Sequence, residues 1–301
     1  MSRRVAAIDL GSNSTRLLVA DADGGTLTEV ERLLTITRLG DGVDASGRLS
    51  EPAMQRVATC VAGYAGRASE LGAEVPLAVA TSAVRDAGNG PEFLHSLERL
   101  GVRSRLLTGG EEARLTLRGV ASGRPIATPV VVCDIGGGST ELIAGDGGEV
   151  QFAVSLDMGC VRMSERHLQS DPPTDEQLAA LRREVATMLP ADLPGGELIG
   201  VAGTITTLAT IDLGLDREIP ERIDGHRLAA AVVNAQLQRL AALPLDQRRH
   251  VRGLMPERAP TIVAGTAILA ELMQRLSASA LTVSERDILH GAALAAADDA
   301  A

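Results

Sequence analysis

Two short stretches of this chain repeat one another, and that limits its fold more than any bulk property. One reads Asp-Leu-Gly-Ser-Asn-Ser-Thr-Arg-Leu from Asp9; the other reads Asp-Ile-Gly-Gly-Gly-Ser-Thr-Glu-Leu from Asp134. Five of the nine positions are identical and a sixth exchanges Leu for Ile. Each copy follows an apolar run and precedes another, Val5 to Leu10 and Thr15 to Ala20 around the first, Pro129 to Asp134 and Thr140 to Ile143 around the second. Apolar runs of that length joined by a glycine-rich turn read as β-hairpins. The repeat therefore predicts one structural unit used twice. The simplest architecture is α/β, with two duplicated lobes facing across a cleft, residues 1–123 and 124–301. The last helix is free to pack back on the first lobe.

The rest of the pattern fills out those lobes. In the first, Thr26 to Leu33 reads as a third strand, Glu51 to Leu71 as a helix with Pro52 in its first turn, and Pro76 to Ala80 as a short strand. Pro91 to Leu100 reads as a helix, Val102 to Leu107 as a strand and Glu111 to Val120 as a helix. In the second, Gln151 to Leu156 is the third strand. Thr174 to Met188 is a helix whose Thr174 and Gln177 have capping-box spacing. Leu198 to Ala202 is a strand running into Gly203-Thr204 and a helix, and helices are expected over His226 to Leu243, Ala259 to Leu276 and Arg286 to Ala297.

Composition excludes several functions. Two Phe, one Tyr and no Trp leave no platform for stacking bases, and a net charge of -10 gives no global attraction for polyanions. The chain has no Lys, so a P-loop and Schiff-base chemistry are both excluded. Cys60, Cys133 and Cys160 are scattered and lack CxxC spacing, which points to a reducing compartment and no zinc site. The start runs straight into a strand, and no stretch reaches the roughly 18 apolar residues of a membrane span. A cytoplasmic location is expected.

An anionic ligand would then need a local site. Gly11, Ser12, Asn13 and Ser14 in the first turn, and Gly136, Gly137, Gly138, Ser139 and Thr140 in the second, offer backbone N–H groups and hydroxyls to phosphate oxygens. Asp9 and Asp134 are hard oxygen donors suited to Mg²⁺, and Glu141 adds a carboxylate where the first copy has Arg16. In Gly109-Gly110-Glu111-Glu112, one Glu can orient water for attack on phosphorus; equally, both can serve the helix dipole. Arg85, after Thr81 and Ser82, reads either as a phosphate fork or as a solvated turn residue. Gly203-Thr204, at a helix N-terminus, reads as a third phosphate contact or as a plain helix start. The five His do not cluster, and no Gly-x-Ser-x-Gly elbow appears.

Taken in order, AAIDLGSNSTRLLVAD, ATSAVRDAGN, LTGGEEARLTLRGV, VVCDIGGGSTELI, DMGCVRMSERHL, VAGTITTLA and LTVSERDILHGAALA resemble the exopolyphosphatase / guanosine pentaphosphate phosphohydrolase (Ppx/GppA) family. The resemblance runs from residue 6 to about 295 and is greatest to the short, single-module actinobacterial members. It implies two ribonuclease-H-like lobes of the actin, sugar-kinase and chaperone superfamily. It places the catalytic Glu at Glu112, implicates Asp134 and Glu141 in Mg²⁺ (or Mn²⁺) binding or catalysis, and assigns Arg85, Gly203 and Thr204 to phosphate. The implied reaction is hydrolysis of a terminal phosphoanhydride, with a homodimer as a family-level expectation; that neither a membrane nor a nucleic acid is a partner is expected from composition, as above.

The helical extension of long members is not expected within these 301 residues, and Thr206 stands where some members carry Lys. With the acidic net charge, these departures favour a short polyphosphate or a nucleotide 5′-triphosphate end over a long polymer. Hydrolysis of guanosine pentaphosphate, a stringent-response substrate, is the alternative. A non-catalytic sensor of a phosphorylated ligand and a kinase of the same superfamily are weaker alternatives.

Overall fold

The computed structural model describes residues 2–126 and 128–299. In chain order it begins with β1 (Arg3–Leu10), β2 (Ser14–Asp23), β3 (Thr26–Ile36), α1 (Val43–Ser46) and α2 (Glu51–Glu70). Next come β4 (Leu77–Ala80), α3 (Ser82–Arg85), α4 (Gly90–Glu98), β5 (Arg103–Leu106) and α5 (Gly109–Gly123). Then follow β6 (Val130–Ile135), β7 (Thr140–Asp146), β8 (Glu149–Leu156), α6 (Cys160–His167), α7 (Asp175–Met188) and β9 (Glu197–Val201). The remainder is α8 (Gly203–Asp212), α9 (Pro220–Ile223), β10 (Arg227–Ala229), α10 (Ala230–Ala242), α11 (Leu245–Arg248), α12 (Ile262–Arg275), β11 (Ala280–Val283) and α13 (Ile288–Asp298). Two compact units result, Met1–Pro125 with Arg286–Ala301, and Ile126–Glu285. Both are α/β.

The first unit has a five-stranded sheet in the order β3-β2-β1-β4-β5. β1, β2 and β3 are antiparallel neighbours, while β4 and β5 continue in parallel. Side chains alternate across this sheet because the strand period is two. Ala6, Ile8 and Leu10 join Leu17 and Val19 in a core that Val57, Val61 and Leu97 close. Val5 and Ala7 join Leu18 and Ala20 on the other face, under Leu289, Ala292, Ala293 and Ala296 of α13. Burial on both faces explains why Val5 to Ile8 reads as an unbroken apolar run rather than an alternating one.

The second unit repeats this plan with one strand added. Its six-stranded sheet has the order β10-β11-β9-β6-β7-β8. Again a three-stranded antiparallel meander, β6 to β8, is extended by parallel strands, β9 and β11. The duplication reaches fine detail: the β2/β3 ladder slips between Val19 and Ala20, and the β7/β8 ladder slips between Ala144 and Gly145, about 125 residues on.

One of the helices expected from the sequence begins later than its periodicity suggests. Residues from His226 were expected to be helical, but Arg227–Ala229 form β10, and α10 starts at Ala230. Leu228 lies opposite Leu281 of β11 in an antiparallel ladder and is buried there. Pairing with a distant strand decides that segment, and local periodicity does not see it. Among the described residues, no helix is long and apolar enough to cross a membrane.

Candidate active site

Both glycine-rich turns are built the same way. In the first, the Gly11 N–H donates to the Ser14 carbonyl at 3.0 Å. The outward carbonyls are taken from behind: Gly40 N–H donates to Ser12 O at 2.7 Å, and Thr37 and Arg38 N–H donate to Asn13 O at 3.1 and 2.9 Å. In the second, Gly136 N–H donates to Ser139 O at 3.0 Å. Here helix α6 occupies the carbonyls. Cys160 N–H donates to Gly136 O at 2.9 Å, Val161 and Arg162 N–H donate to Gly137 O at 2.8 and 3.2 Å, and Arg162 Nε donates to Gly138 O at 2.8 Å. Gly159 permits this approach, since a Cβ there would stand 2.2 Å from the Gly137 oxygen. A turn whose carbonyls are committed on one side can offer N–H groups on the other, which is the requirement of an anion cradle.

The residues opposite the two aspartates differ. Asp9 faces Arg16 across β1 and β2, and Asp134 faces Glu141 across β6 and β7. Opposed residues of an antiparallel pair share one face of the sheet. Arg16 donates to Asp9 Oδ2 through Nε and Nη2, at 2.9 and 2.7 Å, and its Nη1 pairs with Asp287, the N-cap of α13. Burial raises the Asp9 pKa above the ordinary carboxylate value, with Arg16 opposing. Burial works the same way on Asp287, but Arg16 and His290 outweigh it and hold its pKa well below the ordinary value. Asp9 thus meets a protein cation.

In the second turn the equivalent position brings a second carboxylate. Glu141 accepts from Ser155 Oγ at 2.7 Å, and Asp134, Ser139 and Glu141 are all buried. Two neighbouring carboxylates repel, and their oxygens suit a hard divalent cation that completes its shell with water and phosphate oxygens. No group of three or more His, Cys, Asp or Glu able to hold a metal occurs among the described residues. A Mg²⁺ site of one or two carboxylates plus substrate needs no such group. The thiol of Cys133, next to Asp134, is pushed up to about 12 by burial and that charge, so it is inert as a nucleophile.

The two glutamates at the head of α5 divide their work. Glu111 closes a capping box with Thr108: its Oε2 accepts from the Thr108 N–H at 2.9 Å, and its own N–H donates to Thr108 Oγ1 at 3.3 Å. That backbone bond, with Arg105 beside it, lowers the Glu111 pKa to about 2. Glu112 is instead buried, and Arg85 Nη1 meets its Oε2 at 3.0 Å while also donating to Leu107 O at 3.1 Å. Two segments that the sequence left separate are therefore in contact. A third joins them, because Ser12 Oγ of the first turn lies 3.0 Å from Ser82 Oγ at the start of α3, the helix that ends at Arg85.

Gly203-Thr204 stands at the corresponding place in the second unit. Asp134 pairs with Val201 of the parallel strand β9, as Asp9 pairs with Val79 of β4. In each unit, then, a second loop leaves the carboxyl end of the strand beside the turn, where ligands of α/β sheets gather. Thr204 is buried in the first turn of α8. Ala202, just before it, has φ 73° and ψ 173°, a region that belongs to glycine and costs other residues about 1–3 kcal/mol. Buried Arg258 donates to Gly203 O at 2.6 Å and to Glu218 Oε1 at 2.7 Å. Sequence reasoning missed Arg162, Glu218, Arg258 and Asp287. Only Asp287 left a local signal, as an N-cap residue before an apolar helical run.

Comparison with known proteins gives a consistent picture. The model of the Ppx/GppA phosphatase family matches residues 18–299. Exopolyphosphatase 2 of Mycobacterium tuberculosis is 39% identical over 315 residues, covering 98% of each chain. Among solved structures, an exopolyphosphatase-like protein is similar at TM-score 0.92 and 33% identity, covering 100% of this chain and 99% of that one. A Ppx/GppA family member from Aquifex aeolicus is similar at TM-score 0.83 and 30% identity, covering 100% and 99%. An exopolyphosphatase from Cytophaga hutchinsonii is similar at TM-score 0.88 and 25% identity, covering 96% of each.

Proposed function

The chain belongs to the Ppx/GppA phosphatase family, and from that premise we propose that it is an exopolyphosphatase that releases orthophosphate from the end of short inorganic polyphosphate. The observation that carries this reading is the contact set in the first unit. A buried carboxylate, Glu112, is held by Arg85 beside a glycine-rich turn whose carbonyls are already bound. The full-length similarity to a relative named exopolyphosphatase supports it.

In this mechanism the N–H groups and hydroxyls of Gly11 to Ser14, Gly136 to Ser139 and Gly203-Thr204 bind phosphate oxygens. Arg85 adds a charged fork to a phosphate while keeping Glu112 in place. Glu112 orients a water and takes its proton as the oxygen attacks the terminal phosphorus. The bond to the bridging oxygen breaks in line, and orthophosphate and the shortened chain leave. No covalent enzyme intermediate is needed. Asp134 and Glu141 are the residues that would hold Mg²⁺ or Mn²⁺, which would neutralise charge on the phosphate oxygens. Positioning and charge neutralisation then supply most of the rate.

The test is orthophosphate release in the presence of Mg²⁺ on short polyphosphate, long polyphosphate and guanosine pentaphosphate at matched phosphate concentration. Short polyphosphate is expected to give the highest kcat/KM. A preference for guanosine pentaphosphate would replace the substrate assignment, and no release from any of the three would make the protein a phosphate-ligand sensor.

A further inference from the structure

We propose that Glu218 and Arg258 are positioning residues that clamp the strained Ala202–Gly203 turn, so that the N-terminus of α8 is held ready for phosphate. The inference rests on the assignment of Gly203-Thr204 to phosphate binding. Neither residue is asked to touch substrate.

Three observations meet at this turn. The first is the backbone of Ala202, whose φ of 73° and ψ of 173° are favourable only for glycine. Such a conformation persists only where surrounding contacts impose it. The second is the position of Arg258. A Cβ added to Gly203 would lie 2.7 Å from Arg258 Cζ and 2.8 and 2.9 Å from its two terminal nitrogens. The face of the guanidinium therefore covers the space that Gly203 leaves open. The third is the bonding of that guanidinium. Nη1 lies 2.6 Å from the Gly203 carbonyl oxygen, 2.7 Å from Thr207 Oγ1 and 2.7 Å from Glu218 Oε1, and shares its two hydrogens among these three acceptors. Glu218 also accepts from Thr206 Oγ1 at 3.0 Å and Thr207 Oγ1 at 3.3 Å.

The clamp thus ties the carbonyl of the first residue of α8 to the hydroxyls of Thr206 and Thr207, one turn along the helix. With the Gly203 carbonyl held by Arg258, the peptide that joins Gly203 to Thr204 has a fixed orientation. The Thr204 N–H, one of the helix's donors without an intrahelical partner, is then fixed with it. If Glu218 is removed, Arg258 loses its anchor and the turn can relax to an ordinary negative φ at Ala202. That would rotate the donors away from phosphate. The clamp is needed only because residue 202 is not glycine.

That dependence provides the test. Glu218→Ala is expected to raise KM for tripolyphosphate at least about tenfold while kcat stays within about threefold, and Glu218→Gln, which keeps an acceptor, should retain most of the affinity. Ala202→Gly alone should leave KM near wild type. The double variant Ala202→Gly/Glu218→Ala should recover KM to within about threefold of wild type, because glycine holds the turn without help. A KM unchanged by Glu218→Ala, or a double variant no better than Glu218→Ala, would overturn the clamp.

Thermal melting separates this inference from the functional reading. Ala202→Gly should raise Tm more in wild type than in Glu218→Ala, where the strain has already been released. If wild type hydrolyses no polyphosphate, the functional reading fails, and this melting cycle still judges the clamp. Equal gains in the two backgrounds would reject it.

Discussion

At the end of each sheet a glycine-rich turn joins two antiparallel strands, and an aspartate on the first strand faces a charged residue on the second. In the first unit that residue is Arg16, and the pair is drawn into a three-way ion cluster by Asp287 of the returning helix. In the second it is Glu141, so two buried carboxylates lie side by side. The same fold therefore poses two electrostatic problems. Where the protein supplies the cation, the turn is a fixed structural unit with its charge largely settled at folding. Where it supplies a second anion, the proposed function adds a divalent cation that would arrive with the substrate. On the proposed function, this one difference between the copies, Arg16 against Glu141, assigns the first turn to phosphate alone and the second to a metal as well.

This contrast can be tested in order of expected effect. The largest change should come from Glu112→Gln, which keeps the shape of the site and removes its base. Orthophosphate release should fall by about 10³-fold, within the usual range for general-base loss, while tripolyphosphate binding measured by calorimetry stays near wild type. Near-normal turnover would remove Glu112 from the chemistry.

Next is Glu141→Gln, expected to cut kcat/KM about a hundredfold at low Mg²⁺ and to be partly restored by raising Mg²⁺. Asp9→Asn should show no such Mg²⁺ rescue. Equal rescue in the two variants would erase the distinction between the turns.

Arg16→Ala should act mainly on stability. It leaves Asp9 and Asp287 buried without their shared cation and should cost about 3–5 kcal/mol in denaturant unfolding, the usual price of breaking a buried ion pair. Arg85→Ala should raise KM about tenfold with a smaller change in kcat; an unchanged KM would take Arg85 off the phosphate path.

The smallest effect concerns Glu111. Its folded pKa is about 2, below the ordinary carboxylate value of 4.5. Its contribution to stability is therefore fully present above pH 4.5 and is lost as pH falls toward 2. Glu111→Ala should lose stability at neutral pH and show a shallower acid dependence between those limits, as read from Tm against pH.

Much of the fold was legible because it rests on local signals. Apolar runs interrupted by Asp-x-Gly marked both hairpins, and the repeat predicted the matching topology of the two sheets. The Thr108–Glu111 capping box was not resolved in advance from the neighbouring Glu112, since both glutamates sit in an acidic first turn and only burial separates them. Helix α6 was not foreseen. Cys-Val-Arg-Met-Ser-Glu-Arg-His is polar and short, and it is fixed largely by bonding its first N–H groups to Gly136 and Gly137. The strand at Arg227–Ala229 owes its existence to β11, about fifty residues later.

Long-range partners were the least legible. Nothing near Arg16 announces Asp287, and nothing near Gly203 announces Arg258 or Glu218. Such pairs depend on how helices return to a sheet, and one sequence carries no record of that geometry.

The difference between the turns is tested most directly by titrating Mn²⁺, followed by electron paramagnetic resonance in the presence of orthophosphate, into wild type and the Asp9→Asn, Asp134→Asn and Glu141→Gln variants. If the second turn is the metal side, Asp134→Asn and Glu141→Gln should each weaken Mn²⁺ binding at least about tenfold, and Asp9→Asn should leave it within about twofold. Loss of Mn²⁺ binding in Asp9→Asn, with Asp134→Asn and Glu141→Gln unaffected, would contradict that assignment.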